Sequence, residues 1–410
     1  MRGLFGKRNI YLDYASSAPI DRRVARKMSF CETSFFANPS AIHNEGVKVR
    51  KVIEKSRENI ARELRAHSDE IIFTGSGTES DALAIFGVIN NFKENFKDII
   101  PHIITSEIEH PAVLENCKLL EKRGEAEITY IKVDENGLVN PKDVRESLKE
   151  NTILVSIMYT NNEIGTIQPI EEIAKEIRHF KKNKRNSLQS LIFPVLHTDA
   201  CQAMNYLFTE NIEKLGVDLL SFNSSKIYGP KGIGVLYKKR SVNLSPVYSG
   251  GGQEFGLRSG TESVSLISSV SEALRITNKL KKKESARLTS LRDYSIDKIL
   301  ALRKETGYEI ILNGDKENRL PNNINISIPK ISSELLVIEL SALGIFVSEK
   351  SACKSHDDNG SYVINAIRKD NKMIEKNSLR ISLGRDTTQK NMDTFVSSLR
   401  SILEKYKKWS

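Results

Sequence analysis

The chain has one tryptophan, four cysteines and no long apolar run among its 410 residues. With no apolar stretch near twenty residues, a membrane-spanning helix is not expected. The cysteines, Cys31, Cys117, Cys201 and Cys353, lie far apart and form no CxxC pair. That spacing argues against a zinc site or a disulfide framework and for a reducing, cytoplasmic setting. Basic residues at Met1–Asn9 have no apolar region behind them, so a secretory signal is not expected. Internal repeats are absent too.

What is present suits a globular protein: 39% hydrophobic and 28% charged residues. At this length two domains are expected. The formal charge is +10, much of it in Lys181–Arg185, Lys281–Lys283 and Lys405–Lys408. Such an excess raises the question of a nucleic-acid partner. Tyr406 is the one aromatic within these runs, short of the interleaving that a single-strand binder requires, so they read as solvated surface and no direct nucleic-acid binding is expected.

Short apolar runs alternate with helical periodicity through the first two-thirds of the chain. The strand-like runs are Glu70–Thr74, His102–Thr105, Ile128–Val133, Thr152–Met158, Phe193–His197, Val217–Phe222 and Ile233–Tyr237. Between them, Val49, Val52, Ile53, Ser56, Ile60 and Leu64 fall at helical spacing, as do Ile170, Ile173, Ala174 and Ile177. The pattern predicts an α/β fold, a mostly parallel sheet with helices on both faces. Its ligand crevice is expected at the carboxyl ends of the strands. After Thr261 the pattern changes to a long helix, from Glu262 to about Leu300, then a few strands and a last amphipathic helix with Met392, Phe395, Val396, Leu399 and Leu403. That part reads as a smaller α+β domain. Arg178–Ser190 is polar and basic and reads as a surface insertion.

Chemistry gathers at the strand ends. Lys226 follows one strand, in Ser221-Phe-Asn-Ser-Ser-Lys-Ile-Tyr-Gly-Pro-Lys-Gly-Ile-Gly234, where its amine is placed to form a Schiff base with a cofactor aldehyde. Asp199, in His197-Thr-Asp-Ala-Cys-Gln202, ends another. A carboxylate that keeps a pyridine nitrogen protonated, together with an aldehyde-binding lysine, is what pyridoxal phosphate (PLP) needs to withdraw electrons. Each residue alone is ordinary, and the pair in this order is not. Thr74-Gly-Ser-Gly-Thr-Glu-Ser-Asp81 closes a strand and opens a helix, with small residues that let N–H groups approach a phosphate. By itself that stretch reads equally as a helix cap. His110, in Ile108-Glu-His-Pro-Ala112, is placed to stack on a ring or move protons, and Asn161-Asn-Glu-Ile-Gly165 brings amides to the same edge.

With these stretches, and with Ile10-Tyr-Leu-Asp-Tyr-Ala15, Asn38-Pro-Ser40 and Arg380-Ile-Ser-Leu-Gly-Arg385, the chain resembles the group I (NifS/IscS-type) cysteine desulfurases of the class V aminotransferases, almost end to end. The resemblance implies PLP fold type I: a mostly parallel seven-stranded sheet flanked by helices, plus the smaller α+β domain. It implies a large PLP-binding domain at 22–265 and a small domain from 1–21 and 266–410. Lys226 is implied as the Schiff-base lysine, Asp199 as the pyridine partner, Gln202 as donor to the cofactor phenolate and His110 as the stacking and proton-moving histidine. Asn162 falls near the phenolate and the substrate carboxylate, Arg380 grips that carboxylate, and Gly77 and Thr78 contact the phosphate. Thr261, in Arg258-Ser-Gly-Thr261, reaches the phosphate of a neighbouring subunit, which implies a homodimer.

Cys353 matches the nucleophile, on a loop at about 348–361 whose small and charged residues suit a solvated thiol. Lys350 and Lys354 beside it favour the thiolate. The activity implied is conversion of L-cysteine to L-alanine, with sulfur held as a persulfide on Cys353. It then passes to an acceptor: an iron–sulfur scaffold, a sulfur carrier or a tRNA-thiolating enzyme. An aminotransferase or lyase of this fold would not need Cys353, a selenocysteine lyase would share nearly every residue, and a non-catalytic sulfur-carrier subunit is the remaining rival.

The chain departs from the family pattern in three places. Asn223-Ser-Ser225 stands where Ser-Gly-His is usual, so Ser225 replaces a phosphate-binding histidine and rearranged anchoring through Asn223 and Ser225 is expected. Ala82 replaces a common asparagine. Lys354 follows the cysteine where a small polar residue is usual. The sequence past the last helix is short, so the C-terminal extension used to meet a scaffold is not expected.

Overall fold

The computed structural model describes residues 9–183, 193–207, 209, 211–349, 360–368 and 377–408. Seven strands form the main sheet: β2 (Ile71–Thr74), β3 (His102–Ser106), β4 (Glu127–Ile131), β5 (Thr152–Ser156), β6 (Val195–Asp199), β7 (Leu219–Asn223) and β8 (Gly234–Lys238). Their order is β2-β8-β7-β6-β5-β3-β4. The pairs from β7 across to β4 are parallel, and β8 runs antiparallel to both β2 and β7.

Apart from the edge strand β4, these strands are buried along nearly their whole length because both faces are covered. Ile104, Val155, Leu196, Leu220 and Val235 point to one face. There they meet Val49, Ile53, Ile60 and Leu64 of α2 (Asn44–Leu64) and Ile170, Ile173, Ala174 and Ile177 of α6 (Ile170–Asn183). Their neighbours Ile103, Leu154, Val195, Leu219 and Leu236 point to the other. That face packs on α3 (Gly77–Asn95) and α4 (Pro111–Lys122) through Leu83, Ile85, Ile89, Phe92, Val113 and Leu120. The period-2 alternation of side chains thus divides one apolar run between two cores.

A second unit is built on the antiparallel sheet β12-β10-β9, made of β9 (Ile311–Leu312), β10 (Asn323–Ser327) and β12 (Ser378–Ser382). Its core takes Met392, Phe395, Leu399 and Leu403 from α11 (Gln389–Lys407). Helix α8 (Val264–Thr306) serves both units: Val264, Ile267, Val270 and Leu274 pack in the first core, Leu288, Ile296, Ile299 and Leu302 in the second. At 1.5 Å per residue it is about 65 Å long, enough to tie the two together. The N-terminal strand β1 (Ile10–Tyr11) pairs in parallel with β11 (Ile345–Phe346), and the chain then crosses to the main sheet, where Ala18 N–H donates to Ser225 O at 2.9 Å.

The expected insertion at 178–190 begins inside helix: Arg178–Asn183 complete α6, and residues 184–190 lie outside the described residues.

Candidate active site

Five crossings meet at the carboxyl edge of the main sheet. The polypeptide leaves β6 at Asp199 and β7 at Asn223, where a single 3-10 turn, Ser224–Lys226, follows. It leaves β2 through Gly75 and Ser76, the latter capping α3 by accepting from Glu79 N–H at 3.1 Å. After β3 it reaches His110, which caps α4, and after β5 it reaches the turn around Asn161 and Asn162. One pocket is lined by Ala15, Ser16, Gly77, Thr78, Asp81, His110, Met158, Thr160, Asn162, Asp199, Cys201, Gln202, Asn223, Lys226 and Arg380. Nine residues expected at a site from sequence are therefore brought together: Gly77, Thr78, His110, Asn162, Asp199, Gln202, Asn223, Lys226 and Arg380.

The Lys226 ammonium donates to Ser16 O, and its own N–H donates to Asn223 Oδ1 at 3.2 Å. Asp199 Oδ1 accepts from Cys201 N–H at 2.8 Å, which fixes the carboxylate rotamer. His110 Nδ1 accepts from Ala112 N–H at 3.1 Å. That bond requires the proton on Nε2, and it orients the ring. Burial, opposed by Asp199 and helped by Lys226 and Arg380, holds His110 below the usual histidine range. Gln202 Nε2 donates to Ala15 O at 2.9 Å.

Arg380 comes from the other sheet, paired in register with Asn325, and is 2% exposed. Its guanidinium donates to Asn162 O and Asp13 Oδ1 at 3.0 Å and to Ser16 Oγ at 2.6 Å. Among the described residues its Nε, Asn162 Oδ1 and Thr160 Oγ1 are buried without a hydrogen-bond partner. Buried polar atoms left unsatisfied on a pocket wall are the pattern expected of groups that bind a ligand.

Two further buried acids stand near Asp199: Asp81, which lines the pocket, and Glu109, which does not. Asp81 is 1% exposed, its Oδ1 3.6 Å from His197 Nε2. Burial, with Asp199 and Glu109 adding like charge against a Ser221 hydrogen bond, pushes Asp81 well above the usual carboxylate range. Glu109 accepts from Ser106 Oγ at 2.6 Å and Met158 N–H at 2.9 Å. Burial outweighs these bonds and pushes it up to about 8. His197, bonded to Ser156 and Ser221 hydroxyls at 2.8 and 2.9 Å, is pushed by burial down to about 4. At neutral pH Glu109 is therefore mostly protonated and His197 neutral, and Asp81 is shifted in the same direction as Glu109.

Three sequence expectations fall outside the pocket wall. Ser225 does not line it; its hydroxyl donates to Asn223 Oδ1 at 3.4 Å. Thr261 is exposed on the surface. Cys353, with Lys350 and Lys354, lies outside the described residues, but the chain on either side is attached at the site. Ser348 exchanges backbone hydrogen bonds with Arg380. Ser361 Oγ donates to Glu163 Oε2 and Tyr362 OH to Glu109 O, both at 2.6 Å. Conversely, Asp81, Cys201, Ser16 and Thr160 line the pocket without having been singled out. Asp81 was legible in principle, since it sits one helical turn after Gly77 on the same face.

The sequence model of the family described as aminotransferase class-V matches residues 10–395. The chain belongs to this family. Among its class-V relatives, a protein named cysteine desulfurase IscS from Dictyoglomus turgidum is 42% identical over 401 residues, covering 97% of this chain and 95% of the relative. Cysteine desulfurase IscS 1 of Archaeoglobus fulgidus is 38% identical, with 98% of each covered. A solved structure titled NifS-like protein superposes with a TM-score of 0.84 at 32% identity, covering 97% of this chain and 99% of that one. A NifS-like protein from Rickettsia africae gives 0.80 at 28% identity. The expected mostly parallel sheet flanked by helices is the fold these class-V structures share.

Proposed function

We propose that this class-V protein is a PLP-dependent cysteine desulfurase, which moves sulfur from L-cysteine to an acceptor and releases L-alanine. The observation that carries the reading is one pocket holding the Lys226 amine, the Asp199 carboxylate and the buried Arg380 guanidinium. The donor set fits the cofactor: an amine for its aldehyde, a carboxylate for its ring nitrogen and a helix start for its phosphate. The helix start is built for close approach. A Cβ on Gly77 would stand 2.9 Å from Cys201 Sγ and 3.1 Å from Asn223 Nδ2. Asn223 Oδ1 is taken by Lys226 N–H and Ser225 Oγ, so its Nδ2 is the end turned to this cradle. Asn223 thereby takes over the anchoring expected of the replaced histidine, with Ser225 orienting it.

When bound, PLP withdraws electrons from the substrate α-carbon. The protein's share is positioning and proton movement. Lys226 would hold the aldehyde and, when free, could move the α proton; His110, with its proton on Nε2, would stack on the ring. Asp199 would hold the ring nitrogen protonated, and burial, which raises Asp81 and Glu109, disfavours further negative charge beside it. Gln202 and Asn162 face the phenolate, and Arg380 with Asn162 holds the substrate carboxylate. Cys353 takes the substrate sulfur as a persulfide.

Three finer statements belong to the same reading. A division into a large domain at 22–265 and a small one from 1–21 and 266–410 is supported by the separate core under the smaller sheet, with α8 as far as Ile276 packing in the first core. A homodimer, with Thr261 reaching the partner's phosphate, is supported by exposed apolar side chains at Phe30, Phe36, Ile42 and Phe255. An acceptor in iron–sulfur assembly, a sulfur carrier or a tRNA-thiolating enzyme, and a cytoplasmic setting, are proposed with it: desulfurase activity, which the relatives' names carry, needs an acceptor for its sulfur. No described helix is long and apolar enough to cross a membrane.

The direct test is borohydride reduction of the PLP-loaded protein followed by peptide mass mapping. The adduct is expected on Lys226 and absent from Lys226→Ala; an adduct on another lysine would overturn the assignment.

A further inference from the structure

The cradle at the start of α3 contains a carboxylate. Glu79 lies in the first turn of the helix, where a bound phosphate dianion would meet its negative charge. The side chain is nonetheless built in. Glu79 Oε2 accepts from Gly75 N–H at 2.6 Å, and a Cβ on residue 75 would lie only 2.6 Å from that oxygen, so a larger residue there would push the carboxylate off the turn. Its other oxygen accepts from Arg258 Nε at 2.8 Å and from Tyr248 OH at 3.0 Å. Arg258 Nη2 stands 3.5 Å from the same Cβ position on residue 75. Both members of the ion pair are about one-quarter exposed, at 27% and 26%, so the pair lies beside the start of α3 with access to solvent and not in the core.

We propose that Arg258 is a positioning residue for the cofactor phosphate: it cancels the Glu79 charge, so that Glu79 can hold the Gly75 turn without repelling the phosphate. The inference rests on the reading of Ser76–Thr78 as the phosphate site. The loop from Tyr248 to Thr261 is then part of the cofactor site within its own chain, through Arg258. It is fastened there by a second, buried pair: Arg57 donates to both oxygens of Glu254 at 2.8 Å, and Glu254 also accepts from Phe73 N–H.

The test compares PLP with pyridoxal, which has the same aldehyde and ring but no phosphate, titrated into the cofactor-free full-length protein by absorbance. Arg258→Ala is expected to weaken PLP about tenfold or more and to leave pyridoxal within about twofold. Adding Glu79→Gln to Arg258→Ala recovers most of the lost PLP affinity, because the uncompensated charge is gone. Arg258→Lys, which keeps the charge and folds with minimal change, stays within about threefold of the parent. Equal losses for PLP and pyridoxal, or a double variant weaker than Arg258→Ala, would overturn the inference. A parent protein that binds pyridoxal as tightly as PLP would instead sink the phosphate-site reading itself.

Discussion

Arg380 and Lys226 approach the pocket from different sheets, and their surroundings set different tasks. The guanidinium is buried, and its fork is aligned by Asn162, Asp13 and Ser16. A lysine reaches only one of those directions as a point charge. Arg380→Lys is therefore expected to raise KM for L-cysteine by about 10- to 100-fold with a smaller effect on kcat, read by steady-state alanine formation. Glu109 gives a pH-dependent prediction. Its folded-state pKa is raised to about 8, mainly by burial, against an unfolded value near the ordinary one. The stability that goes with its proton is complete below about pH 4.5 and is lost as pH rises through about 8. Glu109→Gln keeps the oxygen that accepts from Ser106 and Met158 and cannot ionise. Its melting temperature relative to the parent should rise between pH 5 and pH 9; a constant difference would contradict the assignment. Lys226, Asp199 and His110 were legible in the sequence because they stand at or just after the ends of apolar strand-like runs, whereas Arg380, in the middle of β12, was reached only through the family resemblance. Cys201 and Ser16 were not, since their place depends on how β6 and the N-terminal segment fold against each other. The Glu79–Arg258 pair spans 179 residues, and no local pattern points to it.

Among the elements, the strands were legible to within about two residues because apolar runs bounded by turn residues have few other readings. The basic stretch after Ile177 was harder: helix α6 carries on through polar residues to Asn183, where its apolar face has already ended. The 3-10 turn Glu254–Gly256 was not foreseen at all. It holds two non-glycine residues at positive φ, Glu254 at 50° and Phe255 at 58°. The conformation is held by Arg57, which lies between the Phe73 and Phe255 rings at 4.8 and 5.0 Å and pairs with Glu254. Removing one partner of such a pair leaves an uncompensated charge. Arg57→Ala is expected to cost about 3–5 kcal/mol, measured by denaturant unfolding of the cofactor-free protein. A loss under about 1 kcal/mol would mean that the strained turn does not depend on the pair.

At the scale of the whole molecule, two units share one long helix, and the site is shared too: the main sheet supplies Lys226 and Asp199, the smaller one Arg380. Relative movement of the units would change the distance between the amine and the guanidinium, which ties substrate binding to how they pack. The change of pattern after Thr261 made a second unit legible in the sequence. That α8 serves both cores was not, because its two buried apolar stretches, ending at Ile276 and resuming at Leu288 across the charged run Lys281–Glu284, do not show which partner each one meets. The account stands on sulfur leaving L-cysteine through Cys353, and one measurement reaches it most directly: alanine and sulfide released from L-cysteine by PLP-loaded protein with a thiol reductant, beside Cys353→Ala. Equal amounts of both from the parent, and loss of both in the variant, are predicted. Turnover that survives in Cys353→Ala would contradict the account and point to a lyase that needs no cysteine nucleophile.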